Sequence, residues 1–463
     1  PARARFRPRP PNEPRPVPNP AVVSLVHLGC ARNQIDSELI LGRLADEGLI
    51  VSGDPEQADT VVLNTCSFIG PAREESESQI RRLCAKKKRG ELERVVVAGC
   101  LVQRFQRDLQ KRFPLVDIFA EISDGKALAK AISDLSQGRS APRYLDNGGL
   151  REATRDESRL LSTPGSYAYL RISHGCDHTC SFCAIPAIRG PHRSKRPDDV
   201  LSEARELIGA GVKELVIVAE DSTAWGRDMG LELDALVRSL ADLDGEHKVR
   251  VMYAYPNRFP WGLADLLANH PRVARYLDIP VQHIATPMLR AMRRAGSGDQ
   301  VRKLLDRLRS EVPGITLRTT VLVGFPGETE KDVEELCAFI REYRLARLGA
   351  FTYSPEEGTS GFDLPGRVSD KEAKARQRAV LAARDEVLRA EQQALVGTEF
   401  DVVIDESSPA RGVPNVARGD MDAPEVDLVT LVTGRKLGVG KRLRVKVEGL
   451  DAESNLVAKA VRG

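Results

Sequence analysis

Residues 171–183 read RISHGCDHTCSFC, and this stretch governs the reading of the whole chain. Cys176, Cys180 and Cys183 stand in a CxxxCxxC pattern directly after an apolar run at 167–172. Structural zinc takes four ligands, usually as paired CxxC or Cys/His clusters, and His174 and His178 are near enough in sequence to complete one. An iron–sulfur cube is ordinarily held by four thiolates, so three leave one iron open to a reactant. A three-cysteine loop that caps a barrel strand fits the open-iron reading better.

Working outward, apolar runs recur at 214–219, 250–255, 276–281, 316–324 and 347–353. Helical stretches near 198–210, 231–243, 299–311 and 329–344 lie between them. Six βα units fall short of the eight in a closed barrel, so the expected architecture is an open, partial (βα)6 barrel. Upstream, runs at 21–28, 60–63 and 95–98 alternate with helical stretches near 33–47 and 71–89, the rhythm of a parallel α/β sheet. A cysteine follows each run: Cys30, Cys66 and Cys100. Ligands collect at the carboxyl ends of parallel strands, so these three are expected at one site although 34 to 36 residues separate them.

Residues 136–164 are polar and Gly/Pro-punctuated and read as a linker. A charged helix is expected over 370–393, followed by short β runs at 400–404, 428–432, 443–447 and 456–461 that suggest a small β-barrel. The expected division is a basic, Pro-rich disordered leader at 1–20, an α/β domain at 21–135, the linker, a barrel domain at 165–390 and an all-β domain at 393–463.

Composition bounds the function. Of 463 residues, 41% are hydrophobic and 29% charged, which excludes a disordered or collagen-like chain. No run reaches the ~18 apolar residues of a membrane span, and the start is not a secretory signal, so a cytoplasmic protein with no membrane partner is expected. The net charge of +3 comes from a leader with Arg3, Arg5, Arg7, Arg9 and Arg15, and the body sums to about −1, no phosphate-gripping surface. Eight cysteines in such a chain argue for metal or redox chemistry rather than disulfides.

The CxxxCxxC loop resembles the signature of the radical S-adenosylmethionine (SAM) superfamily. The resemblance implies a 4Fe–4S cluster on Cys176, Cys180 and Cys183 that binds SAM and splits it to a deoxyadenosyl radical. The segments LGCARNQIDSE, NTCSFIGPAREES and VVAGCLVQR resemble the first domain of the methylthiotransferase family. That implies a second 4Fe–4S cluster on Cys30, Cys66 and Cys100 to handle sulfur, one SAM donating methyl and another the radical. The C-terminal β runs resemble a TRAM domain.

Within that family the segments AIPAIRGPHRS, YLDIPVQHIATPMLRAMRR, FTYSPEEGTSG and RGDMDAPEVD resemble the RimO-type enzymes. These act on an aspartate of small-subunit ribosomal protein S-twelve. The tRNA adenosine (MiaB-type) enzymes typically read VQSGS where this chain has Val281-Gln282-His283-Ile284-Ala285. From 391 onward twelve acids face ten bases, a balance that suits a basic ribosomal protein better than tRNA. The MiaB-type reading and a non-catalytic zinc or ribosome-binding module stand as alternatives. The family further implies an electron donor such as flavodoxin or ferredoxin, and a monomer.

Several residues carry competing roles. Glu220 and Asp221 occupy the place of a GGE-like segment that contacts the SAM amine, with Val218 and Ala219 in place of its glycines; a structural carboxylate is the other reading. Thr320-x-Leu322-x-Gly324-x-x-x-Glu328 resembles an adenine-side motif, or is only a strand-to-helix turn. Arg318 pairs with SAM, with the substrate aspartate, or with a core acid. Cys84 and Cys337 read as packing residues. Trp225 and Trp261 line the substrate entrance or simply pack.

Overall fold

Parallel strands buried on both faces build the first domain. The structure, a computed structural model, describes residues 21–461 apart from 295 and 411, so the expected leader lies outside the described residues. Six strands, β1 (Val22–His27), β2 (Ile50–Ser52), β3 (Thr60–Thr65), β4 (Arg94–Gly99), β5 (Ile118–Ala120) and β6 (Tyr144–Leu145), pair in the order β2-β1-β3-β4-β5-β6. Side chains alternate along β3 and β4. Val61, Leu63, Val95 and Val97 meet the helix Gly70–Lys88, with Cys84 in the same packed layer. Val62, Val96 and Ala98 meet the helices Ala31–Asp46 and Lys126–Ser136. This two-sided cover is why β3 is buried along its whole length and carries consecutive apolar residues at Val61, Val62 and Leu63. The stretch 136–164, expected as a linker, contributes β6 to the sheet and the buried Asp156 to the seam described below.

The second sheet contains β7 (Ala168–Arg171), followed outside it by a small antiparallel pair, β8 (Ser173–His174) with β9 (Arg193–Ser194). Its remaining strands are β10 (Glu214–Val218), β11 (Lys248–Val251), β12 (Val273–Asp278), β13 (Thr316–Val323) and β14 (Arg347–Thr352). They pair in parallel in the sequential order β14-β13-β12-β11-β10-β7, a six-stranded open barrel. Leu170, Leu215, Ile217, Leu317, Val321 and Val323 pack outward under the helices. Tyr169, Val216, Val218, Ala274 and Tyr276 share a second cluster on the opposite, inner face. Three residues of the first domain (Ala31, Ile35 and Leu39) and Ala423 of the third join that inner cluster, so neighbouring domains close the gap left by the missing barrel strands. The expected strand over 250–255 stops at Val251 because Tyr253 turns into the left-handed region at φ +60°.

The long helix Asp370–Ala394 starts on Ser369, whose hydroxyl accepts from the Glu372 N–H at 3.3 Å. It packs Val380 and Ala383 into the barrel core and reaches the third domain, where the Gln392 amide donates to the Ser454 carbonyl at 3.0 Å. Five strands, β15 (Glu399–Glu406), β16 (Asn415–Arg418), β17 (Thr430–Thr433), β18 (Arg442–Leu450) and β19 (Leu456–Ala460), close into a barrel in the order β15-β16-β17-β19-β18. All but β16 coincide with the expected β runs. β16 carries little apolar signal because it is anchored by Asn415, whose amide donates to the carbonyls of Val432 and Arg435, both at 3.1 Å.

Candidate active site

Cys30, Cys66 and Cys100 follow β1, β3 and β4, three adjacent strands of one parallel sheet. Two are preceded by glycines that no other residue replaces easily. Gly29 has φ +110°, and a Cβ there would stand 2.9 Å from Cys66 Cβ and 3.2 Å from its sulfur. Gly99 has φ +95°, and a Cβ there would collide with Asn64 Oδ1 at 2.2 Å. Ser76 fixes the third cysteine: it accepts from the Cys66 N–H at 3.2 Å and donates to the Cys66 carbonyl at 2.8 Å. The thiols feel one another. Burial pushes Cys66 up to about 12, with Cys100 and Cys30 adding to it, and burial raises Cys100 as well. Cys30 goes the other way, because Arg32 and Arg189 together outweigh its burial.

Cys176, Cys180 and Cys183 lie on the loop beyond β8. Gly175 opens it at φ +75°, where a Cβ would meet the Pro191 carbonyl oxygen at 2.1 Å. Burial raises Cys176 to about 12 and Cys183 to about 11, and each also feels the other cysteines of the loop. The loop is clamped from outside: the Ser181 N–H and hydroxyl donate to the carbonyls of Met292 and Ala291 at 2.9 and 2.8 Å, and the Gly361 N–H donates to the Ser181 carbonyl at 2.7 Å. His178 stacks on Tyr255 with ring centres 3.6 Å apart, and the Arg294 guanidinium lies 3.9 Å from the same ring. Two groups so close to one ring must take opposite faces. Arg294 also points a nitrogen at Cys180 Sγ at 3.7 Å.

The two trios adjoin. Cys100 shares a buried apolar cluster with Ile122, Ala184 and Ile188, and Ala184 is the residue after Cys183. Arg189 donates to Cys100 Sγ at 3.5 Å. Arg32 donates to the Ala219 carbonyl at 2.7 Å, lies 3.6 Å from Glu220 Oε1, and sits 5.3 Å from the Tyr253 ring centre. Its charge lowers Cys30 and opposes the burial that raises Cys183.

The other candidates separate. Glu220 lies at this seam with a 3% exposed side chain, and its Oε2 is buried without a hydrogen-bond partner among the described residues. Asp221 is fully engaged: Oδ2 lies 2.7 Å from His178 Nε2 and Oδ1 accepts from the Thr223 N–H and hydroxyl at 2.9 and 2.6 Å. Those bonds outweigh its burial and hold it below the usual carboxylate range, so it orients the cysteine loop through His178. Arg318 donates to Asp278 Oδ1 at 2.9 Å and lies 3.5 Å from Asp427 Oδ1, the core-acid alternative. Glu328 Oε2 accepts from the Gly324 N–H and from Arg376, both at 2.7 Å, and a Cβ on Gly324 would meet Ala373 Cβ at 2.6 Å. Gly324 and Glu328 therefore shape the turn and dock it on the long helix. Trp225 is buried and donates to the Lys195 carbonyl at 3.0 Å, a packing role. Arg32, Arg189, Arg294 and Tyr255 escaped sequence reasoning, since nothing in their spacing points at the cysteines. The glycine before Cys30, Cys100 and Cys176 was the available signal.

The donor sets fit iron–sulfur cubes better than zinc. Among the described residues no three His, Cys, Asp or Glu side chains converge closely enough to share one metal ion. Zinc needs its four donors within ~2.0–2.3 Å of a single centre, whereas a cube takes its cysteines at separate corners. His178 is occupied by Asp221 and His192 by Ser194, while burial, then Arg171, press His174 well below its usual range.

Comparison with known proteins agrees with this geometry. Residues 22–121 match uncharacterized protein family UPF0004, 170–340 the radical SAM superfamily and 396–461 the TRAM domain. The chain is 39% identical to the ribosomal protein uS12 methylthiotransferase RimO of Geobacter sulfurreducens, covering 92% of this chain and 95% of that one. It is 40% identical to the RimO of Syntrophus aciditrophicus, covering 89% and 92%. A solved radical SAM methyltransferase, TsrM from Kitasatospora setae, shares the fold at a TM-score of 0.54 and 18% identity, over 74% of this chain and 77% of that one. With its sheet, barrel and C-terminal domain matched in order and relatives aligned nearly end to end, the chain belongs to the RimO methylthiotransferase family of the radical SAM superfamily.

Proposed function

We infer that this chain methylthiolates the β-carbon of an aspartate in small-subunit ribosomal protein S-twelve, the protein named for its relatives. The observation that carries the reading is the seam, where two three-thiol sites from different domains meet across Cys100, Ala184 and Arg189. The target carbon is an unactivated sp³ centre, and no side-chain base tuned near neutral pH removes its proton at a useful rate. Cys176, Cys180 and Cys183 would hold a 4Fe–4S cluster that, with SAM, would supply hydrogen-atom abstraction, and Cys30, Cys66 and Cys100 would hold a second that would supply the sulfur.

The chain's own residues do the remaining work. The inner barrel wall of Tyr169, Val216, Val218 and Tyr276, closed by Ile35, Leu39 and Ala423, walls off a reaction that a stray C–H donor would intercept. Glu220 keeps one oxygen free to take the SAM amine while Arg32 steadies the other. Asp221 orients His178 and with it the cysteine loop. Proximity is the protein's main contribution, because the carbon and the sulfur must meet before either is quenched.

The acid excess of the C-terminal domain, expected to face a basic partner, is spent in part on contacts with the barrel domain. Of the twelve acids counted from 391 onward, Asp405, Asp422 and Asp427 bond inside the molecule, while Glu425 and the exposed Asp420 bond across to the barrel domain. Glu425 accepts from the hydroxyls of Tyr167 and Tyr169, both at 2.8 Å, and Asp427 accepts from Tyr276 at 2.6 Å. The RGDMDAPEVD segment is thus docked on the barrel, and these acids are tied to its side chains. The substrate assignment rests on the relatives instead, and the seam supports the chemistry. The chain is proposed to work as a cytoplasmic monomer fed by a one-electron carrier such as flavodoxin or ferredoxin. No described helix is long and apolar enough to cross a membrane.

The test is anaerobic reconstitution, reduction and reaction with SAM and the ribosomal protein, read as a methylthio mass gain on one aspartate. Replacing Cys30, Cys66 and Cys100 together with alanine is expected to abolish product while SAM cleavage continues. Methylthiolated adenosine in tRNA instead would move the assignment to the MiaB-type reaction, and a colourless zinc protein would end it.

A further inference from the structure

Arg189 closes the short helix Ile185–Arg189, six residues past Cys183, and its side chain crosses from the barrel into the first domain. Its Nη2 donates to Asp36 Oδ2 at 2.9 Å and to Cys100 Sγ at 3.5 Å, while its Nε lies 4.0 Å from Glu220 Oε1. One guanidinium, 4% exposed, therefore touches a thiol of one trio and the carboxylate beside the other.

The charge around it is unbalanced. Asp36 also accepts from Arg151 at 3.1 Å and Arg171 at 2.6 Å. Asp156 accepts from Arg171 at 2.7 Å and from Lys195 at 2.6 Å, and Lys195 also donates to Glu203 at 2.6 Å. In this linked set Arg32, Arg151, Arg171, Arg189 and Lys195 are cationic, while Asp36, Asp156, Glu203 and Glu220 are the carboxylates. One positive charge is left over in a place where water cannot solvate it. Cys100 is the remaining anion-forming group that Arg189 contacts, so the excess is aimed at its sulfur.

We propose that Arg189 is a positioning residue that holds the Cys100 thiolate and raises the reduction potential of the iron–sulfur group on Cys30, Cys66 and Cys100. The proposal rests on the two-site reading above. A hydrogen bond and a positive charge beside a ligating sulfur stabilise the more negative, reduced state of the group it holds. Asp36 fixes the guanidinium before any ligand arrives, so its direction is built into the fold. The barrel trio has a looser counterpart. Arg294 stands 3.7 Å from Cys180, leaning on Tyr255 and the Pro280 carbonyl rather than on an acid. The two sites are thereby tuned separately although they adjoin.

The experiment uses the full chain with Cys176, Cys180 and Cys183 replaced by alanine, so that only the N-terminal site is loaded with iron and sulfide. Reductive titrations followed by electron paramagnetic resonance compare this parent with Arg189→Lys, Arg189→Gln and Arg189→Met. The expected order of midpoint potential is parent and Lys highest, Gln lower, Met lowest. Should Arg189→Met not accumulate, Arg189→Gln carries the comparison, since it keeps an amide donor without the charge. A purely structural role would lower occupancy yet leave the potential of the loaded fraction where it was, and equal potentials in the parent and in Arg189→Gln or Arg189→Met overturn the proposal. A parent that takes up no cluster overturns both the proposal and the two-site reading, and iron and sulfide analysis tells the two failures apart.

Discussion

Arg32, two residues beyond the first cysteine, donates through Nη1 to the carbonyl of Ala219 at 2.7 Å, one residue before Glu220. A half-buried side chain of the first domain is thereby bonded to the carboxyl end of a barrel strand in the second. The bond holds the two reactive sites in register.

Arg32→Ala should therefore uncouple the halves of the reaction rather than stop either one. SAM cleavage continues, and product per SAM cleaved falls on the order of tenfold, the cost of about 1.4 kcal/mol in positioning. The ratio of deoxyadenosine to methylthiolated protein measures it. An unchanged ratio would show that the seam keeps its register without Arg32.

The glycine before Cys30 gives a stability test of the N-terminal site. Gly29→Ala puts a Cβ 2.9 Å from Cys66 Cβ at a φ of +110°, and is expected to cost roughly 1–3 kcal/mol and to lower iron uptake at the N-terminal trio. Gly53, where an added Cβ would meet nothing within 4 Å and φ is ordinary, is the control, and Gly53→Ala should leave both melting and iron uptake unchanged.

Asp221→Ala should act on the barrel trio alone. Without the 2.7 Å bond to His178 the loop loses its orienting contact, so iron held by Cys176, Cys180 and Cys183 falls severalfold and SAM cleavage with it. Iron at the N-terminal trio stays. Iron analysis in a background lacking Cys30, Cys66 and Cys100 separates the two.

The interface between barrel and C-terminal domain carries a pH dependence of known sign. Glu214 is buried, but Arg250 and Arg418 overcome that burial and hold it at about 2, against an ordinary 4.5. Its contribution is in full force above the unfolded value and disappears as pH falls from about 4.5 towards about 2, on the order of 3 kcal/mol in all. Denaturant midpoints measured across that window should fall more steeply for the natural chain than for Glu214→Gln. Parallel slopes would remove Glu214 from the account.

Much of this molecule is legible in one dimension. Apolar runs followed by cysteines place Cys30, Cys66 and Cys100 at strand ends, because in a parallel sheet every strand delivers its carboxyl end to the same edge. The CxxxCxxC loop is local by nature, and the six βα units count themselves through hydrophobic periodicity. Tertiary structure alone decides the rest. That Arg189 meets Cys100, that Arg32 meets Ala219, and that the RGDMDAPEVD acids turn inward to Tyr167, Tyr169 and Tyr276 depends on how three domains dock. Docking buries charges that a linear count leaves on the surface, and a buried charge takes its meaning from its partner. Sequence spacing sets the reach of a strand or a loop; it does not say which arginine will be left facing a cysteine sulfur.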